Sequence, residues 1–318
     1  MPVARPASTP LGLEAPVRRF ARHQAAAQAM ADYQAALRED AAQRRSRGLT
    51  VKDQDQRDEV FCLLPARPEG RPLVIIGGMG PLAGAIAFGR ACARFEDSRA
   101  VVLYQACTVP DRSTVILEEG RPDTPACRHV AARLASAVRR AVGLVPAGLQ
   151  PARCVIACNS AHYFWPLVLD ELRRPAALPC RVEMISLVQS SAEALRRLAC
   201  RSVLILATEG ARIGQVFSAP LHAAGIPFDE PSPSLGKLLM RTVFEGVKAL
   251  DGRRAVAHGN ELFEAVARSG RDHDSILAGC TELPLAIALL RRHGRPAVRA
   301  FLSRVSVIDP LEEALGHA

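Results

Sequence analysis

The sequence predicts an α/β protein: two units with parallel sheets related by pseudo-twofold symmetry, plus an N-terminal helical extension. Three observations carry this expectation. Short apolar runs ending in Gly or Cys alternate with Ala/Leu/Arg-rich stretches of helical length, as in buried parallel strands joined by crossover helices. Aromatic residues are only 4% of the 318 residues, which suits helices packed on a sheet better than an all-β barrel. The motif order also repeats, "LVIIGGMGP" then "CVIACNSAH" being echoed by "VLILATEGA" then "ILAGCTELP". In each half one strand ends at a glycine-bearing turn. A later strand ends at a cysteine followed by amide or hydroxyl residues.

The elements follow in order. Pro2, Pro6, Pro10 and Pro16 punctuate a loose start, and the span Phe20 to Arg47 holds strong helix formers with no Gly or Pro. Phe20, Met30, Tyr33 and Leu37 give that helix a thin apolar stripe. It must therefore pack on its own body or on a partner subunit. The charged "KDQDQRDEV" reads as a linker. From Arg71 come a strand in "PLVIIGGMG", a helix in "PLAGAIAFGRACARF", a strand in "RAVVLYQ", a helix from Thr124 to Val145, and a strand in "ARCVIACNS". After "RVEMISLV" and a helix through "AEALRRLA", "SVLILATEG" is another strand. "DSILAGCTELPLAIALLRRHG" repeats the strand–Cys–helix pattern and "RVSVIDP" supplies a last strand. The expected division is an extension over 1–70, a first unit over 71–175 plus 299–318, and a second over 176–298.

Composition narrows the function classes. No apolar run reaches the roughly 18 residues of a membrane span, and the start lacks the apolar h-region of a secretory signal. Nine cysteines are scattered without a CxxC pair, which argues for reduced thiols in the cytoplasm rather than a disulfide scaffold or a metal site. A secretion-addressing role for the extension is the alternative. The net charge of +9 comes almost wholly from dispersed arginines, lysine occurring only as Lys52, Lys237 and Lys248. No basic run is interleaved with aromatics, so nucleic acid is not the expected partner.

Ligands of open α/β sheets bind beyond the carboxyl ends of the strands, where this sequence places Gly77, Gly78, Gly80 and two cysteines. "GGMGPLAG" approaches a dinucleotide fingerprint, but the Gly78–Gly80–Gly84 spacing is one residue too long and the next strand ends at Gln105. No GxxxxGK[ST] loop is present, so no nucleotide cofactor is expected. Cys158 taken alone reads as a small buried hydrophobe. Cys280 at the matched position changes that, because each cysteine sits just before a helix start, where a thiolate is favoured. Asn159, Ser160 and Thr281 can donate to a carboxylate lying between them. Two sulfurs flanking one carbon can remove a proton from one face and return one to the other, provided one is ionised and the other protonated.

"GGMGPLA", "VPDRST", "ACNSAH", "ILATEG", "GCTELPLA" and "VIDP" occur in an order that resembles the cofactor-independent aspartate/glutamate racemase superfamily, from about Pro72 onward. The resemblance implies two Rossmann-like α/β domains facing each other, the last strand returning to the first, and a homodimer. It implies a small-molecule amino-acid substrate, no cofactor and no metal. Cys158 and Cys280 take the positions of the two bases. Asn159, Ser160 and Thr281 take those that hold the α-carboxylate, and Met79 and Gly80 the loop closing the substrate face. Arg112 and Lys248 match basic positions for the distal carboxylate of an acidic substrate. His162 and Glu282 match residues that tune the cysteines. Arg112 also reads as an arginine paired within its own turn, Lys248 as a solvated lysine and His162 as a structural imidazole. Ala211 departs from the pattern, which commonly has Thr there. Two further readings stand beside racemisation of aspartate or glutamate. One is related chemistry through the same cysteines, such as maleate isomerisation, hydantoin racemisation or decarboxylation. The other is a non-catalytic binding or effector protein. Cys62, Cys92, Cys107, Cys127, Cys154, Cys180 and Cys200 read as structural.

Overall fold

A computed structural model describes residues 15–49, 57–146, 148–149, 151–174 and 182–316. The start up to residue 14, most of the linker segment and Cys180 lie outside these. The first sheet has six strands in the order β1 (Val17–Phe20), β2 (Glu59–Leu63), β4 (Val101–Gln105), β3 (Leu73–Gly77), β5 (Ala152–Ile156), β6 (Val182–Ile185). The second has four, in the order β10 (Ser306–Ile308), β9 (Ser275–Gly279), β7 (Val203–Ala207), β8 (Phe228–Asp229). Every pairing is parallel except β2 with β4.

Both faces of each sheet are covered, which is why β3, β4, β7 and β9 read as unbroken apolar runs and are buried at every residue. Val74, Ile76 and Ile156 face α4 (Pro125–Val142), while Leu73, Ile75 and Val155 face the opposite cluster with α2 (Pro81–Phe95). Thr124 caps α4 by accepting the Cys127 N–H at 3.3 Å. In the second sheet Leu204, Leu206 and Ile276 face α10 (Gly252–Arg268) and α11 (Leu283–His293). Val203, Ile205 and Leu277 face α6 (Leu187–Arg197).

The N-terminal residues are built into the first sheet rather than appended to it. β2 pairs with β4 and β1 extends the edge, so the end of the segment read as a linker is a buried strand. The helix expected there is α1 (His23–Ser46), and it packs on α2 of its own chain. Met30 and Tyr33 are buried, and the Tyr33 ring lies 4.9 Å from Phe61. The stripe is thin because Ala26 and Ala41 supply the rest of the buried face.

Two strands lie in the other sheet from the one expected. β6 pairs with β5 in the first sheet, and β10, from "VIDP", pairs with β9 in the second. Each completes a crossover from the strand that ends at a cysteine, so parallel pairing beside that strand is the short route. With these placements the orders β4–β3–β5–β6 and β8–β7–β9–β10 correspond strand for strand. What crosses between units is helix: α6 leaves β6 for the second core, and α13 (Pro310–Gly316) leaves β10 to pack on α2 and α6.

Leu311, Ala314 and Leu315 of α13 are buried in the first unit's core. Leu315→Ala is expected to lower stability by about 2–5 kcal/mol, the usual cost of a buried Leu truncation. Urea unfolding followed by circular dichroism measures it.

Candidate active site

The carboxyl ends of the two sheets meet, and buried contacts join them. Asn159, just beyond β5, donates its side-chain amide to the Ala278 carbonyl in β9 at 3.1 Å. Glu282 reaches Gly80 so closely that a Cβ there would overlap Glu282 Oε1. Gly210 in α7 (Glu209–Ile213) lies against Ser113 in α3 (Arg112–Glu119), a Cβ at Gly210 falling 2.6 Å from the Ser113 Cα. Small residues are required at these two crossings because no side chain fits between the units.

Cys280 is 5% exposed, and its thiol donates to Glu282 Oε2 at 3.0 Å. The Thr281 hydroxyl donates to the same oxygen at 3.0 Å. Burial, then the Glu282 charge, push the Cys280 thiol well above its ordinary range, opposed by the nearby Lys248 charge and the Glu282 backbone N–H. The geometry therefore holds Cys280 protonated. Glu282 Oε1 is buried with no hydrogen-bond partner.

Cys158 is 7% exposed, with its sulfur 3.4 Å from the Ser160 hydroxyl. Asn159 leads into a 3-10 turn, Ser160–Phe164, followed by α5 (Trp165–Arg173). Both ring nitrogens of His162, in that turn, are bonded to backbone groups. The Leu187 N–H, at the start of α6, donates to His162 Nε2 at 3.0 Å, so Nδ1 carries the hydrogen and donates to the Cys158 carbonyl at 3.0 Å. Trp165 stacks on the imidazole at 4.8 Å. Burial lowers the His162 pKa to about 4, against hydrogen bonding with the backbone of Cys158 and Asn159. His162 thus holds the turn and ties it to α6.

Arg112 is buried, and its guanidinium donates to the carbonyls of Val109 at 3.2 Å, Pro110 at 2.8 Å and Met79 at 2.8 Å. It fastens its own turn to the Met79–Gly80 loop, leaving Nε buried without a partner. Lys248 follows a π-helical turn, Thr242–Val247, and its ammonium lies 4.4 Å from the Phe244 ring centre. Its charge acts on Cys280 and also on Asp111, the N-cap of α3. Burial works against the Asp111 carboxylate, yet the Thr114 N–H, Arg112 and Lys248 hold it below the usual range. The two basic residues therefore flank one acidic cap.

The glycine loop accommodates the protein's own groups. A Cβ at Gly77 or Gly84 would overlap Gln105 Oε1, and Gly78, at φ +88°, lies against the Ala106–Cys107 backbone. Ala211 is buried in the second unit's core beside Val216 and Phe217. One residue passed over in the sequence is Thr208, directly after β7: it is buried and its hydroxyl has no partner. The hydroxyl in "ILATEG" was the available signal.

Comparison with known proteins places this architecture. The Asp/Glu/hydantoin racemase family model matches residues 76–318. The chain belongs to that family. Among solved structures, aspartate racemase of Picrophilus torridus is similar at 20% identity and a TM-score of 0.56, over 78% of this chain and 92% of its own. An aspartate racemase homologue from Pyrococcus horikoshii OT3 is similar at 20% identity and a TM-score of 0.51, over 78% and 97%. The first residue matched, Ile76, lies in β3, so α1, β1 and β2 precede the matched region.

Two outcomes follow. Glu282→Gln removes the charge that adds to burial in keeping Cys280 protonated. Its alkylation by iodoacetamide, read by peptide mass spectrometry, is expected to set in at lower pH than in the wild type. For His162, the unfolded chain binds a proton between about 6.5 and 4 that the folded chain does not, so acid favours unfolding across that window. Relative to His162→Gln, the wild type is expected to lose up to about 3 kcal/mol there. Asp309, whose carboxyl is pushed up to about 6 by burial, acts in the opposite sense. It is common to both chains, so the difference in their urea midpoints isolates the histidine.

Proposed function

We propose that this chain is a cofactor-independent amino-acid racemase acting on an acidic amino acid, aspartate or glutamate, by two-base proton transfer between Cys158 and Cys280. The observation that carries the reading is the matched placement of the cysteines. Each directly follows the corresponding strand of its sheet or lies one residue beyond it, and the Asn159–Ala278 hydrogen bond joins the two sites.

On this reading Cys280, whose thiol donates to Glu282, is the proton donor. Cys158, its sulfur 3.4 Å from the Ser160 hydroxyl, is the base that removes the α-proton, which gives the polarity that two-base transfer requires. Cys280 then delivers its proton to the opposite face. The substrate leaves inverted, with Cys158 protonated and Cys280 a thiolate. Lys248 stabilises that thiolate and Glu282 disfavours it, which makes Cys280 the stronger base for the return direction. Buried polar atoms without partners favour an amino acid as occupant. Asn159 Oδ1 and Glu282 Oε1 call for a donor such as ammonium, and Arg112 Nε and the Thr208 hydroxyl for an acceptor such as carboxylate. Met79 and Gly80 close one side, Thr281 adjoins Glu282, and Lys248 takes the distal carboxylate.

Incubation with L- and D-aspartate and glutamate in D2O is expected to give inversion with deuterium entering at the α-carbon. Cys158→Ala and Cys280→Ala are each expected to cut inversion by about a hundred- to ten-thousand-fold. Enantiomer conversion persisting in both variants would sink the reading.

A further inference from the structure

Residues ahead of the family match touch both turns that carry the basic side chains. At the end of α1 the Arg45 guanidinium donates to the Ala249 carbonyl, one residue past Lys248, and its Nε lies 3.9 Å from Asp251 Oδ2. Asp251 is the N-cap of α10, accepting the Arg254 N–H at 3.0 Å. Between them Leu250 sits at φ +53°, a left-handed conformation uncommon for a non-glycine residue. The Leu250 N–H to Val247 and the Asp251 N–H to Gly246 close the turn on itself, and Arg45 ties it to α1.

On the other side Asp58 leads into β2. The antiparallel register, Glu59 opposite Gln105, sets Asp58 beside the chain leaving β4. Asp58 Oδ1 accepts the Thr108 N–H at 3.0 Å and its hydroxyl at 2.9 Å, and Oδ2 accepts the Tyr104 hydroxyl at 3.0 Å. Arg133 donates to the same Thr108 hydroxyl. Thr108 immediately precedes Val109 and Pro110, whose carbonyls hold Arg112. A one-residue slip of β2 would carry Asp58 out of reach, so sheet pairing and turn placement are one constraint.

We propose that the N-terminal residues clamp the substrate-recognition edge, Arg45 positioning the Lys248 turn and Asp58 the Arg112 turn. The proposal rests on the racemase reading for what those turns bind, but not for the clamp itself. Arg45 and Asp58 are positioning residues, acting through groups they hold and touching no substrate. The two turns belong to different units, and a single stretch of chain reaches both. The clamp therefore sets the separation of Arg112 from Lys248, and with it the length of side chain accepted.

The test uses the full chain with Arg45→Ala, Arg45→Lys, Asp58→Ala and, as a milder change, Thr108→Val. Amide exchange is expected to quicken about tenfold at 249–252 in Arg45→Ala and at 106–111 in Asp58→Ala, with β7 and β9 unaltered. In Arg45→Ala the Lys248 charge moves off Cys280, so Cys280 alkylation at pH 8 is expected to slow about threefold while Cys158 is unaffected. For an acidic amino acid, KM is expected to rise more than kcat falls, with Arg45→Lys restoring most of the loss and Thr108→Val intermediate. Unchanged local exchange with unchanged Cys280 alkylation overturns the clamp, whatever the chain turns over. Local loosening with an unchanged KM overturns it as well. A wild type inert towards amino acids, with the Arg45→Ala alkylation change present, keeps the clamp and removes the racemase reading.

Discussion

Everything at the candidate site depends on two buried sheet ends being held against each other. In that setting each polar group must find its partner across the junction or leave a costly orphan. Asn159 to Ala278 is the direct tie. Within the first unit, His162 accepts the first N–H of α6, the helix that leaves the first sheet for the second core. The exchange of α6 and α13 gives the junction an apolar counterpart: each unit's core includes residues that follow the other unit's last strand. Separation of the units would expose both.

The electrostatics follow from the same burial. Glu282 holds a carboxylate against a thiol in a place where burial already disfavours the thiolate, and Lys248 is the charge that opposes both. Small shifts of Lys248 therefore change the proton affinity of Cys280 more than they would at a wet surface. Placement of Lys248 is left to a turn with a left-handed leucine and to an arginine from the opposite end of the chain. The N-terminal residues, which lie before the family match, thus touch the turn that carries Lys248.

Much of this was legible in the residues. Apolar runs covered on both faces announced the strands, and the paired Gly and Cys endings announced the duplication, because these patterns arise from burial and turn geometry local to a few residues. Cys158 and Cys280 read as a candidate pair only when taken together, by their matched places after β5 and β9. The sequence pattern could not say how Arg112 uses its donors, since three carbonyls from two loops converge on it only in the folded chain. Nor could it rank His162, whose role depends on an N–H distant in sequence. Gly80 looked like a residue for ligand approach, whereas in this structure the Glu282 carboxylate lies against it.

The sequence by itself determined the α/β class, the strand–cysteine–helix repeat, the long N-terminal helix and the pair of thiols, all of which depend on near neighbours. Tertiary structure alone decided the sheet to which β6 and β10 belong and the incorporation of β2. It also decided the protonation of Cys280 and the joining of both basic turns to one N-terminal stretch. The physical reason is the range of the forces involved. Hydrophobic periodicity and turn preference act within a few residues, while strand pairing, burial of charge and hydrogen-bond satisfaction are settled between segments that meet only on folding.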